Sequence, residues 1–216
     1  MNRAFIFDMD GVLIDSERAW ALYEKPLLER VFGATIVEQI GSTIGVNASQ
    51  IFEKARSLGS SARFEDLARG YAEIEAQVYA RSNITPGADE FIDALALRGY
   101  KIGLVTQSPQ SSIDLVLPRL SSAAHIERTL ALFQHKALRP KPHPDGYIEI
   151  LREFNADLAH SFILEDSING ILAGKAAGAF VIGFKGNLVD GYEQEGADAY
   201  ADTMENVLQI VEATKK

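Results

Sequence analysis

The chain has 216 residues, 47% of them hydrophobic and 24% charged, with a formal net charge of −9 and no cysteine. That length and composition fit one or two compact globular domains with a sizeable core. The acidic balance argues against nucleic-acid and anionic-membrane partners, and the lack of cysteine excludes disulfides and thiolate chemistry. No apolar run approaches the roughly 20 residues of a membrane span.

Residues 4–8 predict a first strand, with Phe5-Ile6-Phe7 running into Asp8-Met9-Asp10-Gly11. An apolar run of this kind reads as a buried strand of a parallel sheet. It begins almost at the N-terminus with no signal peptide ahead of it, so the expected location is the cytoplasm. Ser16 is a candidate cap for a helix to about Val31, with Ala19, Leu22, Tyr23 and Leu27 as its apolar stripe and Pro26 as a kink. Asn47 or Ser49 caps a short helix ending near Gly59. Between Arg63 and Ser82, Phe64, Leu67, Tyr71, Ile74 and Val78 recur at spacings of three and four, the mark of an amphipathic helix. Residues 16–83 therefore read as all-helical.

After Pro86-Gly87 the pattern changes. A helix carrying Phe91, Ile92 and Leu95 ends at Gly99, and Lys101 to Thr106 is a strand. Residues 110–117 read as a helix stopped by Pro118, and 125–133 are ambiguous, with room for a short strand. Gly146 to Phe154 is a helix with Asp145 as candidate N-cap. Residues 162–166 form a strand, Ser167 to Ala177 a helix closed by Gly178, and Ala179 to Phe184 another strand. Residues 186–196 read as a surface loop. The alternation implies right-handed βαβ units, hence an α/β fold with a Rossmann-like, doubly wound parallel sheet. The expected core is 1–15 with 84–216, and 16–83 is an inserted all-helical cap.

Three predicted strands end in polar residues: Asp8 with Asp10, Thr106 with Ser108, and Glu165 with Asp166. In a parallel sheet these ends converge on one edge, where ligands bind. Lys141 joins them from Pro140-Lys141-Pro142, whose prolines stiffen the backbone. Clustered carboxylates suit a hard cation such as Mg²⁺, and lysine and hydroxyl donors suit a phosphate. One aspartate of such a site can be a nucleophile and the other a general acid and base. Plainer readings stand beside these. Asp-Gly is a common turn pair, Glu165-Asp166 could open a helix, Ser108 could cap the next helix, and Asn169 could face solvent. Trp20 reads as cap core or as a substrate-facing side chain, and Tyr23 as core. The histidines show no metal-ligand spacing.

This combination resembles the haloacid dehalogenase superfamily, in its β-phosphoglucomutase-like branch of phosphatases. Asp8-Met9-Asp10-Gly11-Val12, Thr106-Gln107-Ser108, Lys141-Pro142-His143-Pro144-Asp145 and Glu165-Asp166-Ser167-Ile168-Asn169-Gly170 are similar to its four motifs, in order. The resemblance implies a small helical cap and a Mg²⁺-dependent phosphatase. Asp8 would attack phosphorus and become phosphorylated. Asp10 would protonate the leaving oxygen and then deprotonate water. Mg²⁺ would be held by Asp8, the Asp10 backbone carbonyl and Asp166, with Glu165 assisting directly or through water. Thr106 and Lys141 would bind phosphoryl oxygens, joined by backbone N–H groups after Asp8 and around Gln107, with Ser108 close by. Mutases of this branch are expected to carry a histidine where Trp20 stands and an arginine near Gly45–Ala48. No basic residue lies between Arg30 and Lys54. Hydrolysis of a small phosphorylated metabolite, a sugar phosphate, is therefore preferred over a hexose phosphate mutase. A non-catalytic binding protein of the same fold is the remaining alternative, and the presence of Asp8 opposes it. The expected state is a monomer or weak dimer.

Overall fold

A computed structural model describes residues 1–214 of the chain. In chain order its strands are β1 (Ala4–Phe7), β2 (Ile14–Asp15), β3 (Asn83–Ile84), β4 (Lys101–Thr106), β5 (Ile126–Ala131), β6 (Phe162–Glu165), β7 (Phe180–Phe184) and β8 (Ala199–Ala201). The α-helices are α1 (Glu17–Phe32), α2 (Ala34–Ile40), α3 (Ala48–Ser57), α4 (Phe64–Arg81), α5 (Ala88–Leu97), α6 (Gln110–Val116), α7 (Asp145–Glu153), α8 (Ile168–Ala176) and α9 (Met204–Ala213). Six strands pair side by side in the order β5-β4-β1-β6-β7-β8. Every pairing in that sheet is parallel. The chain thus starts mid-sheet, builds outward through β4 and β5, then crosses to the other flank of β1. Strand order reverses at β1, and ligands of open α/β sheets bind just beyond the carboxyl ends at such a point.

All four residues of β1 are buried because both faces of the sheet are covered. Phe5 and Phe7 pack with Phe91 and Ile92 of α5 and with Val207 and Val211 of α9. Ala4 and Ile6 face the other way, among Ile150 of α7 and Ile171 of α8. This period of two is what turns an uninterrupted apolar run into a shared wall between two half-cores. Among the described residues no helix is long and apolar enough to cross a membrane.

The helices α1 to α4 hold an apolar cluster of their own, with Leu28, Phe32, Val37, Ile40, Ile51, Ala55 and Leu67 buried in it. The stripe expected on α1 is corrected there: Leu27, Leu28 and Phe32 are buried, whereas Leu22 is 58% exposed. The N-terminal half of α1 runs over an open cavity, so apolar burial begins only at Leu27. Pro26 sits inside an unbroken α1. Asn47 caps α3 with a full capping box to Gln50, as one of the two expected candidates. The helix α2 was not foreseen, being only seven residues between two glycines of positive φ.

Where the helical segment leaves and rejoins the sheet, β2 and β3 pair antiparallel, Ile14 opposite Ile84 and Asp15 opposite Asn83. The all-helical reading of 16–83 therefore misses one strand residue, Asn83, which is too short a signal to show periodicity. The expected surface loop 186–196 is partly buried. Asn187 donates to the Gly11 carbonyl at 3.2 Å and to Thr85 Oγ1 at 2.7 Å, and Gln194 donates to the Phe184 carbonyl at 2.7 Å. Asp145 is not an N-cap. It opens α7 after Pro144 and accepts from the Arg139 backbone N–H and guanidinium at 3.0 Å each.

Candidate active site

The predicted site residues converge where β1, β4 and β6 end. Asp8 follows β1, its N–H donating to the Leu164 carbonyl at 3.0 Å. Lys141 Nζ lies 2.5 Å from Asp8 Oδ1, 2.5 Å from Glu165 Oε1 and 3.0 Å from the Val105 carbonyl. An ammonium has three protons, so this one is fully engaged. Glu165 is equally occupied. Oε1 also accepts from Tyr147 Oη at 2.5 Å, and Oε2 accepts from the Ser167 N–H at 3.3 Å and its hydroxyl at 3.2 Å. Glu165 thus anchors Lys141 from behind. Gly170 gives it room, since a Cβ there would lie 1.9 Å from the Glu165 carboxyl carbon.

Asp10 turns the other way and accepts from four side chains. Ser16 Oγ, Tyr79 Oη and Trp20 Nε1 reach Oδ1 at 2.7, 3.0 and 3.2 Å, and Ser108 Oγ reaches Oδ2 at 2.7 Å. Ser16 and Ser108 are therefore not the side-chain caps that sequence offered; both hydroxyls are directed to this carboxylate. Trp20 faces the site rather than the helical core. Tyr79 was missed, because its helical phase looks like core and only its hydroxyl reaches Asp10. Thr106 Oγ1 accepts the Ser108 N–H at 3.0 Å. The Gln107 amide reaches across to the helical segment, donating to the Gly45 carbonyl at 2.7 Å and accepting from Asn47 at 3.2 Å. Asn169 also donates to the Gly45 carbonyl, at 3.1 Å, so it does not face solvent.

The charge balance is strongly negative. Asp8, Asp10, Glu17 and Asp166 line the cavity with Lys141 as its one cationic side chain. Burial pushes the Asp8 carboxyl up to about 8, against the pull of Lys141 and with added repulsion from Glu165 and Asp10. Burial also works against the Lys141 charge, but Asp8 and Glu165 together hold it above the usual lysine range. With two acceptors the ammonium keeps its proton, whichever charge Asp8 carries. Glu17 is pushed up to about 8 by burial and then by Asp10, Glu24, Asp8 and Asp15. Asp166 is raised too, by burial first and then by Glu17 and Asp8.

Ligand atoms of Asp8, Glu165 and Asp166 lie within 4.8 Å of one another. Asp166 Oδ2 is buried with no hydrogen-bond partner, a rare and costly condition. It sits in a cradle only glycine permits, because a Cβ on Gly11, at φ 74°, would lie 2.0 Å from that oxygen. An unpartnered carboxylate oxygen amid excess negative charge fits a divalent cation held by oxygen ligands. Glu165, with its oxygens already engaged, fits a supporting role better than a direct one.

A cavity of about 380 Å³ opens from this edge toward α1 and α4. A family model for haloacid dehalogenase-like hydrolases matches residues 5–184. The chain belongs to that family. Hexitol phosphatase B of Escherichia coli K12 is 28% identical over 179 residues, spanning 81% of this chain and 79% of that protein. A phosphoglycolate phosphatase of Vibrio parahaemolyticus is 26% identical over 218 residues, spanning 95% and 94%. A crystal structure of a hydrolase from Pseudomonas syringae superposes with a TM-score of 0.83 at 20% identity, covering 99% of each chain, which shows the shared fold.

Proposed function

We propose that this hydrolase is a Mg²⁺-dependent phosphatase of small phosphomonoesters, sugar phosphates foremost, working through an aspartyl-phosphate on Asp8. The observation that carries the reading is the division of labour between two carboxylates. Asp8 is gripped by Lys141 at the sheet edge, while Asp10 lies among donors beside the cavity. Asp8 attacks phosphorus, a P–O bond to its carboxylate forms, and the ester P–O bond breaks. The leaving oxygen takes its proton from Asp10. Asp10 then takes a proton from water, whose oxygen attacks phosphorus and frees Asp8 with release of inorganic phosphate. The Thr106 hydroxyl and backbone N–H groups near Gln107 orient the phosphoryl oxygens, while Lys141 holds Asp8 in place and adds positive charge beside them. Asp8, the Asp10 carbonyl and Asp166 would hold Mg²⁺, which would supply the charge neutralisation that phosphoryl transfer needs most.

Residues 16–83 serve as a cap over a core made of 1–15 and 84–216, hinged at the β2–β3 ribbon. Trp20 and Tyr79 belong to the cap and Ser108 to the core, so the bonds on Asp10 change as the cap moves. A phosphate-release assay on p-nitrophenyl phosphate and glucose 1-phosphate, with and without Mg²⁺, tests the reading. Mg²⁺-dependent release that disappears in Asp8→Asn supports it. Full activity in Asp8→Asn, or conversion of glucose 1-phosphate to glucose 6-phosphate without release, contradicts it.

A further inference from the structure

The far end of the cavity carries information that the reaction itself does not use. Its walls include the apolar side chains of Ala21, Ile44, Val46 and Ala68. Two half-buried carboxylates line it as well: Glu75, which accepts from the Ser111 and Ser112 hydroxyls, and Glu24. Tyr71 Oη donates to its Oε1 at 2.6 Å, and the Thr43 hydroxyl donates to its Oε2. Burial raises the Glu24 carboxyl, and those two donors act against burial. Tyr71 is itself pushed well above the usual phenol range by burial and by Glu24, so it stays a neutral donor. Each Glu24 oxygen therefore keeps acceptor capacity, since a carboxylate offers about four lone-pair positions. Among the described residues, no lysine or arginine acts on Glu24. Lys141 is the one lysine or arginine lining the cavity, and its protons are committed to Asp8, Glu165 and Val105. Lys25, next to Glu24 in the chain, is exposed and does not line the cavity, Lys54 donates to the Ile40 carbonyl at 2.6 Å, and Arg30 pairs with Glu73 at 3.0 Å.

We propose that this end of the cavity selects substrates by charge. It accepts an uncharged, hydroxyl-bearing leaving group, a polyol or sugar, and rejects leaving groups that carry a carboxylate or a second phosphate. Glu24 is the specificity-determining residue. A hydroxyl donates to a Glu24 oxygen and lays its carbon chain on the apolar wall. A carboxylate would give up its water, meet a like charge and find no counter-ion. Relatives of this chain act on both kinds of substrate by name, hexitol phosphates and phosphoglycolate, so sequence similarity does not make this choice.

The inference rests on the phosphatase reading, and one panel separates the two. Values of kcat/KM are measured for sorbitol 6-phosphate, glycerol 3-phosphate, 2-phosphoglycolate and fructose 1,6-bisphosphate, with p-nitrophenyl phosphate as reference. The neutral pair should exceed the anionic pair by roughly tenfold or more, because like-charge juxtaposition is strongly disfavoured in a desolvated site. Glu24→Gln should narrow that ratio, chiefly through KM for 2-phosphoglycolate. Equal or better hydrolysis of 2-phosphoglycolate by the parent protein overturns the charge selection while leaving the phosphatase reading in place. An unchanged ratio in a folded Glu24→Gln overturns the role of Glu24. If that variant does not fold, the parent ratio alone decides. Failure on every substrate, p-nitrophenyl phosphate included, overturns the phosphatase reading and the selectivity with it.

Discussion

The two ends of the cavity differ in how their polar groups are satisfied. At the sheet edge, Lys141, Glu165 and Asp10 each meet several partners, and the one open valence is Asp166 Oδ2. Beneath α1 and α4 the wall is largely apolar, and the half-buried carboxylate of Glu24 retains spare acceptor capacity. The first end is built by strand termini, whose positions the sheet hydrogen bonds fix. The second is built by helices that pack on a separate cluster. A rigid end suits chemistry that tolerates little displacement, and a separately packed end can vary its contacts without disturbing that chemistry.

The strongest way to break this contrast acts at the sheet edge. Asp8→Asn should lower phosphate release by about 10⁴-fold or more, the scale seen when a nucleophile is removed. Lys141→Met should abolish release and also lower stability by roughly 3–5 kcal/mol in denaturant titration, because two buried carboxylates lose their partner. Leu28→Ala acts on the other end. A cavity in the helical cluster should cost about 2–5 kcal/mol, and residual activity on p-nitrophenyl phosphate should survive better than in Lys141→Met.

Smaller changes sharpen the contrast. Tyr79→Phe removes one donor from Asp10, worth about 1 kcal/mol, or roughly fivefold in kcat/KM on a sugar phosphate. The loss should shrink on p-nitrophenyl phosphate, whose leaving group needs little protonation; an equal loss on both would argue against a role through Asp10. The least effect lies away from both ends. The Arg139 side chain, bonded to Asp145, holds that carboxyl down at about 2, from a usual 3.8. A folded-state value below the unfolded one adds stability above pH 3.8, and that stability is lost as pH falls toward 2. The pair is solvent-screened, so Asp145→Asn should flatten acid unfolding in that window by under ~1 kcal/mol.

Much of the sheet edge was legible in the sequence because apolar runs ending in acids, a hydroxyl or a lysine signal strand termini directly. Lys101 to Thr106 is a strand over that whole span, and Asp8, Thr106, Lys141, Glu165 and Asp166 come together as the parallel-strand reading requires. What escaped was whatever depends on the phase of a helix or on a contact distant in sequence. Tyr79 reads as one more apolar position of α4 until its hydroxyl is seen on Asp10. Asn187 reaches Gly11 across 176 residues from a segment with no periodicity. Glu24 gave no motif signal, since a lone acid on a helix usually faces water. Ser16 stands at the N-cap position of α1 and Ser108 just ahead of α6, yet both hydroxyls donate to Asp10, because a hydroxyl before a helix carries the same local signature whether it caps or donates elsewhere.

The identity of the nucleophile is the central claim, and trapping tests it most directly. Asp10→Asn should still accept a phosphoryl group from p-nitrophenyl phosphate, whose leaving group departs without general acid help, but should hydrolyse the intermediate slowly. After rapid acid quench with Mg²⁺ present, peptide mass analysis should find a phosphoryl group on Asp8, absent from an Asp8→Asn, Asp10→Asn double variant. A phosphoryl group on any other residue, or turnover by Asp10→Asn that passes through no phosphorylated protein, would contradict it.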